Sequence, residues 1–247
     1  EKKIILCRDR FGVKPLFYHL DSQNNSFYFA SEIKGLHAAG IDKNENEATW
    51  SSFLNYGIYN NGEQTFWENI NLLKPGHLIE LKFENIISKK IIRWYNFEQS
   101  CLAIKNSPSF QNKSSSEHLL HYKELLINSV KNRFRSDVKV GFTLSGGVDS
   151  SILYKTISDL FPSSKIESFT FQCNSKKYDE IEWAKNINPD TNSILLSSKE
   201  IPDLAKKVSY YQDEPYGGIP TLAYSKIFSE ARKRGVIVLL DGQGMDE

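Results

Sequence analysis

Short apolar runs broken by polar turns fill the first part of the chain, and longer runs alternating between two periods fill the second. Ile4 to Cys7, Leu16 to His19 and Phe27 to Ala30 read as strands, with Asp21-Ser-Gln-Asn-Asn25 as a turn between two of them. Glu32 to Ala39 and Ala48 to Tyr56 read as short helices. Leu72 to Phe83, turning at Lys74-Pro75-Gly76, and Ile86 to Tyr95 read as a hairpin-rich end. Residues 99–116, rich in Ser, Asn, Lys and Gln around Pro108, suit a mobile linker. Ser114-Ser-Ser-Glu117 then has capping-box spacing, and Leu119, Tyr122, Leu126, Val130 and Phe134 follow a helical stripe.

Beyond that helix, strands and helices alternate. Strands are expected at 138–144, 166–173, 193–197 and 236–240, and helices at 148–160, 179–187, 200–211 and 220–234. Pro220 can start its helix and Gly235 can stop it. Alternation of this kind implies a parallel sheet with helices on both faces. The fold class is therefore α/β, with a doubly wound sheet in the C-terminal part and a β-rich N-terminal part. The expected organisation is a first domain over 1–98, a linker over 99–116 and a second domain over 117–247.

Bulk composition narrows the partners. Lys plus Arg number 31 against 30 Asp plus Glu, so no global field favours nucleic acid or an anionic membrane. No apolar stretch approaches the roughly 20 residues of a membrane span. Hydrophobic residues make up 40%, enough for a core. Cys7, Cys101 and Cys173 are far apart, with neither zinc nor redox spacing, and point to a reducing cytoplasmic setting. The five histidines form no ligand pattern. Glu1 stands directly before an apolar strand without an initiator Met, and Glu247 falls within a glycine-rich loop, so a fragment of a longer protein is expected.

The chemistry concentrates where strands end. The run Val138 to Leu144 stops at Ser145-Gly146-Gly147, followed by Val148, Asp149, Ser150 and Ser151 at the start of an apolar helix. Two glycines let the backbone turn tightly and approach a ligand, and a helix start offers free amides and positive dipole. The three serines add neutral donors. Asp149 would repel bare phosphate but could hold a bridging magnesium ion. Magnesium pyrophosphate, as part of ATP, is the simplest ligand for such a loop; a purely structural turn is the alternative. The loop is not a Walker A motif, a dinucleotide turn or a nucleophile elbow. Val236 to Leu240 likewise runs into Asp241-Gly-Gln-Gly-Met-Asp-Glu247, and Ser168 to Cys173 is followed by Tyr178-Asp179-Glu180. Open α/β sheets bind ligands at strand carboxyl ends.

In order, Ser145-Gly-Gly-Val-Asp-Ser150, Tyr178-Asp-Glu180, Asp213-Glu-Pro215 and Asp241-Gly-Gln-Gly-Met-Asp-Glu247 resemble the synthetase domain of glutamine-dependent asparagine synthetases. Arg8-Asp-Arg-Phe-Gly-Val-Lys-Pro-Leu-Phe-Tyr18 and Ala30-Ser-Glu-Ile-Lys-Gly-Leu36 resemble the closing part of that family's N-terminal-nucleophile glutaminase domain. The resemblance implies a sheet of the ATP-pyrophosphatase (adenine nucleotide alpha hydrolase-like) type. It also implies adenylation of a carboxylate, then attack by ammonia drawn from glutamine. Ser145, Gly146, Gly147, Val148, Asp149 and Ser150 would form the pyrophosphate loop, and Asp149 and Asp246 would hold magnesium. Thr143 and Phe171 would pack the adenosine, unless they are ordinary sheet core. Asp241 and Gly242 would contact the nucleotide through their backbone, unless Asp241 is a turn or cap residue. Asp179 and Glu214 are either acids supporting the site or solvated charges. Gln243 stands where the family commonly has a glutamate that handles a proton, and glutamine cannot act as a base. That departure leaves the acceptor open between aspartate and another carboxylate, such as a sugar acid of surface polysaccharide or a β-lactam precursor. The family's glutaminase uses a cysteine at the mature N-terminus; Cys7 is internal, reads as core, and no glutamine hydrolysis is expected of this chain alone. Small molecules are the implied partners (glutamine, ATP, the acceptor), with a homodimer left open. A non-catalytic nucleotide-binding or interaction fragment is the reading from a different class.

Overall fold

The computed structural model describes residues 3–59, 62–83, 86–173 and 179–244. The chain divides into two compact units, one comprising residues 1–112 and 211–216, the other 113–210 and 217–247.

In the first unit β1 (Lys3–Cys7), β2 (Phe17–Asp21), β3 (Ser26–Ala30), α1 (Ile33–Ala38), α2 (Glu47–Tyr56), β4 (Asn71–Leu72), β5 (His77–Phe83), β6 (Ile87–Arg93), α3 (Phe97–Lys105) and α4 (Pro108–Gln111) follow in order. They form two antiparallel three-stranded sheets, β1-β5-β6 and β3-β2-β4. Tyr18, Leu73, Ile79 and Leu81 form a core shared by both sheets, with Leu6, Phe27, Ile87 and Ile91 packed against it. Ile33 and Leu36 of α1 bury Phe17, Tyr28 and Ala30 on the other side of β2 and β3.

The loop after β1 is held by one side chain. Arg8, only 9% exposed, donates from Nε to the Lys14 carbonyl (2.9 Å), from Nη1 to that of Leu73 (2.5 Å) and from Nη2 to that of Gly12 (3.0 Å). Asp9 accepts the amides of Phe11, Val13 and Lys14. The Arg8–Tyr18 motif thus builds its own loop. Cys7, expected in the core, is exposed; it closes β1, which lies at the edge of its sheet, and the neighbouring Ile4 and Ile5 are open as well.

Residues 211–216 belong to this unit. Asp213 adopts a left-handed φ of 61°, a conformation aspartate tolerates better than most residues. Its Oδ2 accepts from the Lys34 amide (3.0 Å) and ammonium (2.9 Å), and its carbonyl accepts from Trp67 Nε1 (2.8 Å). Glu214 Oε1 accepts the Phe66 amide at 2.9 Å. Stretch 99–116, expected as a linker, contains parts of α3 and α4. Asn96 caps α3 by accepting the Gln99 amide, and Pro108 starts α4.

The second unit runs α5 (Ser115–Arg133), β7 (Lys139–Thr143), α6 (Val148–Leu160), β8 (Ser168–Cys173), α7 (Ile181–Ile187), β9 (Asn192–Leu196), α8 (Ile201–Gln212, its last two residues counted with the first unit), α9 (Ile219–Lys233) and β10 (Val236–Leu240). Its four strands are parallel, in the order β10-β7-β8-β9. Phe142 and Leu144 pack with Val130, Leu153, Ile157 and Ala184, so α5, α6 and α7 share one core with the sheet. Phe169, Ile194 and Val236 pack with Ile227 and Ala231 of α9 in a separate core. Helices therefore cover both faces, as the alternation of periods implies. Fully burying one phenylalanine such as Phe142 or Phe169 contributes about 1.5–3 kcal/mol. The stripe on α5 is buried only in part: Val130 lies in the core and Leu126 and Phe134 pack against it, whereas Leu119 and Tyr122 are exposed. No helix among the described residues is long and apolar enough to cross a membrane.

Candidate active site

A sheet ordered β10-β7-β8-β9 changes direction between β7 and β10: the chain leaves β7 toward β8 on one side and returns to β10 on the other. Loops leaving such a pair part to opposite faces and open a crevice at the strands' carboxyl ends. A cleft of about 420 Å³ lies there, within the usual range for a small-molecule site. Thr143, Ser145, Gly147, Val148, Asp149, Ser150, Phe171, Asp241, Gly242 and Gln243 all line it, together with Phe169, Glu180, Tyr224 and Ile227. A larger cavity, about 660 Å³, includes Glu167, Ser168 and Asn192 at the strands' opposite, amino-terminal edge, where open α/β sheets do not usually bind ligands.

The first turn is shaped by its own hydroxyls. Ser150 Oγ accepts the Ser145 amide at 3.3 Å and lies 3.1 Å from Ser145 Oγ, which in turn accepts the Gly147 amide at 3.3 Å. Gly147 is the N-cap of α6 and no side chain caps that helix. Its first amides are thus left without a side-chain acceptor at the positive end of the dipole. Ser151, expected to add a donor, turns its hydroxyl back onto the Gly147 carbonyl at 2.6 Å.

The two glycines do different things. Gly146 has φ +91°, and a Cβ there would lie 2.5 Å from Cβ of Trp183 and 2.9 Å from the Ala184 nitrogen. It faces α7 and is not among the residues lining the cleft. Gly147 stays on the cleft side. Gly242 brings the second turn against the first, since a Cβ there would lie 2.8 Å from the Ser150 nitrogen and 3.0 Å from the Asp149 carbonyl carbon.

Asp241 closes β10 and is tied to β7, with Thr143 Oγ1 donating to its Oδ1 at 3.0 Å. Tyr224, absent from the sequence expectations, lines the same cleft as Asp241; burial first, then the Asp241 charge, pushes the phenol up to about 12. It therefore stays a neutral donor near pH 7. A tyrosine in an amphipathic helix gives no isolated signal, but α9 precedes β10 in the chain, and its first turns reach the carboxyl edge of the sheet.

Asp149, Glu180 and Asp241 line the cleft, and no Lys or Arg does among the described residues. A bare polyphosphate would meet this charge unfavourably. The described residues hold no cluster of three or more His, Cys, Asp or Glu suited to a metal. Such sparse donors fit magnesium, which binds through one or two carboxylates together with phosphate oxygens and water. Asp246 and Tyr178 lie outside the described residues. Asp179 accepts the Ile181 amide at 3.1 Å and so shapes the start of α7. Asp213 and Glu214 belong to the first unit and are not cleft residues.

Comparison with known proteins agrees with both units. The family model described as asparagine synthase matches residues 121–247, and that described as glutamine amidotransferase domain matches residues 1–95. A Methanocaldococcus jannaschii protein with the provisional name asparagine synthetase [glutamine-hydrolyzing] 2 is 31% identical, covering 100% of this chain and 47% of its own length. Asparagine synthetase [glutamine-hydrolyzing] 2 of Bacillus subtilis is 30% identical, covering 100% and 34%. Amidase chry2 of Gibberella zeae is 22% identical, covering 100% and 37%. The chain thus spans about half or less of the length of these relatives. With more than half of its residues under one family model and the glutamine amidotransferase domain before it, the chain belongs to the asparagine synthase family.

Proposed function

We propose that the whole protein makes an amide from a carboxylate, ATP and glutamine. The carboxylate attacks the α-phosphorus of ATP, forming an acyl-adenylate and releasing pyrophosphate. Ammonia from glutamine then attacks the acyl carbon and AMP leaves. The single observation that carries the reading is the meeting of turns 145–150 and 241–244 in one cleft, at the point where the strand order reverses. Strand order and the Ser-Gly-Gly-Val-Asp-Ser turn support an ATP-pyrophosphatase type of sheet. The paired antiparallel sheets of the first unit support the closing part of a glutaminase sandwich.

Ser145, Gly147, Val148 and Ser150 would receive the departing pyrophosphate, where preorganised donors lower the barrier most. Gly146 would act from behind, by letting that turn lie against α7. Asp149 and Asp246 would hold magnesium, which neutralises charge on the phosphates when bound. Phe171 would face the base, and Gly242 would let the nucleotide's two contact loops touch. The names of the relatives favour aspartate as acceptor. Gln243 in the cleft favours a second reading, in which another carboxylate is amidated. Three free cysteines suit a cytoplasmic setting.

Titration of the protein with Mg-ATP, against Asp149→Ala, tests the nucleotide reading. The variant should lose at least about tenfold in affinity, the scale of one charge-assisted interaction. Equal affinity for wild type and variant would leave a non-catalytic module as the better description. Pyrophosphate release across a panel of carboxylates then separates aspartate from other acceptors.

A further inference from the structure

The cleft's lining is of two chemical kinds. Phe169, Phe171, Tyr224 and Ile227 are apolar or aromatic, and Ser145, Gly147, Asp149 and Ser150 belong to a polar helix start. In a nucleotide the sugar is the piece that joins an aromatic base to phosphates. Asp241 belongs to neither group; its carboxylate is tied to β7 by the Thr143 hydroxyl at 3.0 Å, and Tyr224 of α9 lines the same cleft. Its residue is exposed, so acceptor capacity remains after that bond: an ionised carboxylate offers about four lone-pair positions.

A fixed carboxylate is a poor neighbour for phosphate and a good one for O–H donors. The ribose is where ATP carries vicinal O–H groups, and acidic side chains read ribose hydroxyls in other nucleotide sites. We propose that Asp241, held by Thr143, accepts hydrogen bonds from the ribose hydroxyls, with Tyr224 of the same cleft as a positioning residue. This inference rests on the reading of the cleft as an ATP site. It adds a side-chain role to Asp241, for which the family resemblance implies only backbone contact.

The test compares Mg-ATP with Mg-2′-deoxyATP and Mg-3′-deoxyATP by calorimetric titration of wild type, Asp241→Asn and Tyr224→Phe. Wild type should bind at least one deoxynucleotide about tenfold or more weaker than ATP, as expected for a lost bond to a charged acceptor. Asp241→Asn should bring the ratio below about threefold while ATP binding stays measurable. Tyr224→Phe should reduce the ratio in the same direction, a change that mere loosening of α9 would not produce. Equal wild-type affinity for all three nucleotides would overturn this proposal and leave the ATP reading intact. Absence of any ATP binding would overturn both. Retained discrimination in Asp241→Asn would assign the sugar contact elsewhere. Because the wild-type ratio itself decides, a variant that fails to fold does not remove the test.

Discussion

Gly146 and Gly242 illustrate how much of the site is decided by single Cα positions. Gly146→Ala would combine a disfavoured positive φ with collision against helix backbone, and repair requires moving α7. We expect a loss above about 3 kcal/mol, seen as a lower urea midpoint. Gly242→Ala should act more locally, pushing its turn off the start of α6 and weakening Mg-ATP by about tenfold or more while most of the stability remains. A variant that binds as wild type would show that the contact between the turns is dispensable. Glu214 makes the residue-scale case in the first unit. Burial holds its carboxyl above the ordinary range; the Phe66 amide opposes this and Asp213 adds to it. The folded state then keeps a proton that the unfolded chain has already released. Its contribution to stability therefore falls as pH rises from the ordinary carboxylate value toward the folded one. Glu214→Gln keeps an acceptor for Phe66 and removes that loss. Its urea midpoint should gain on wild type as pH rises above the ordinary carboxylate value, and parallel curves would refute the assignment. The serine–glycine turn and Asp241 were legible as residues because strand ends rich in Gly, Ser and Asp have few other uses. The separate duties of Gly146 and Gly147 were not, since φ and the position of α7 are tertiary facts. Tyr224 was hidden for the same reason.

At the level of elements, periodicity carried most of the fold. The expected bounds 148–160 and 236–240 coincide with α6 and β10, because a Gly pair and Gly235 punctuate them. The stretch 99–116, read from composition as a linker, carries helix. Ser107 and Ser114 within it are N-caps as well as loop-type residues, and Pro108 starts α4. The helical stripe on α5 forms, with its later residues packed in or against the core and Leu119 and Tyr122 exposed. Ser114 closes a capping box with Glu117, both halves of which form. Ser114→Ala should therefore lower stability by about 1 kcal/mol, measurable as a shift in the urea midpoint. No shift would mean that tertiary contacts alone hold the start of α5.

For the molecule as a whole, the proposed reaction leaves the acceptor as the open chemical variable, and Gln243 lines the cleft. In that reaction adenylation and amide formation would make separate demands: the first on the groups around the phosphates, the second on a group near the attacking nitrogen. Gln243→Glu should accordingly leave Mg-ATP affinity within about threefold and alter only the amide-forming step in the whole protein. A variant in which nucleotide binding collapses would place Gln243 in the first step instead. The wiring of the chain sets one further condition. The hexapeptide 211–216 follows most of the second unit in sequence yet supplies acceptors for Phe66, Trp67 and Lys34. A split after Asn112 would strip those groups of their partners on one side and leave Asp213 and Glu214 without theirs on the other. Modular exchange of either half among relatives must then carry this hexapeptide with the half it serves, so the inheritable building block is discontinuous in sequence.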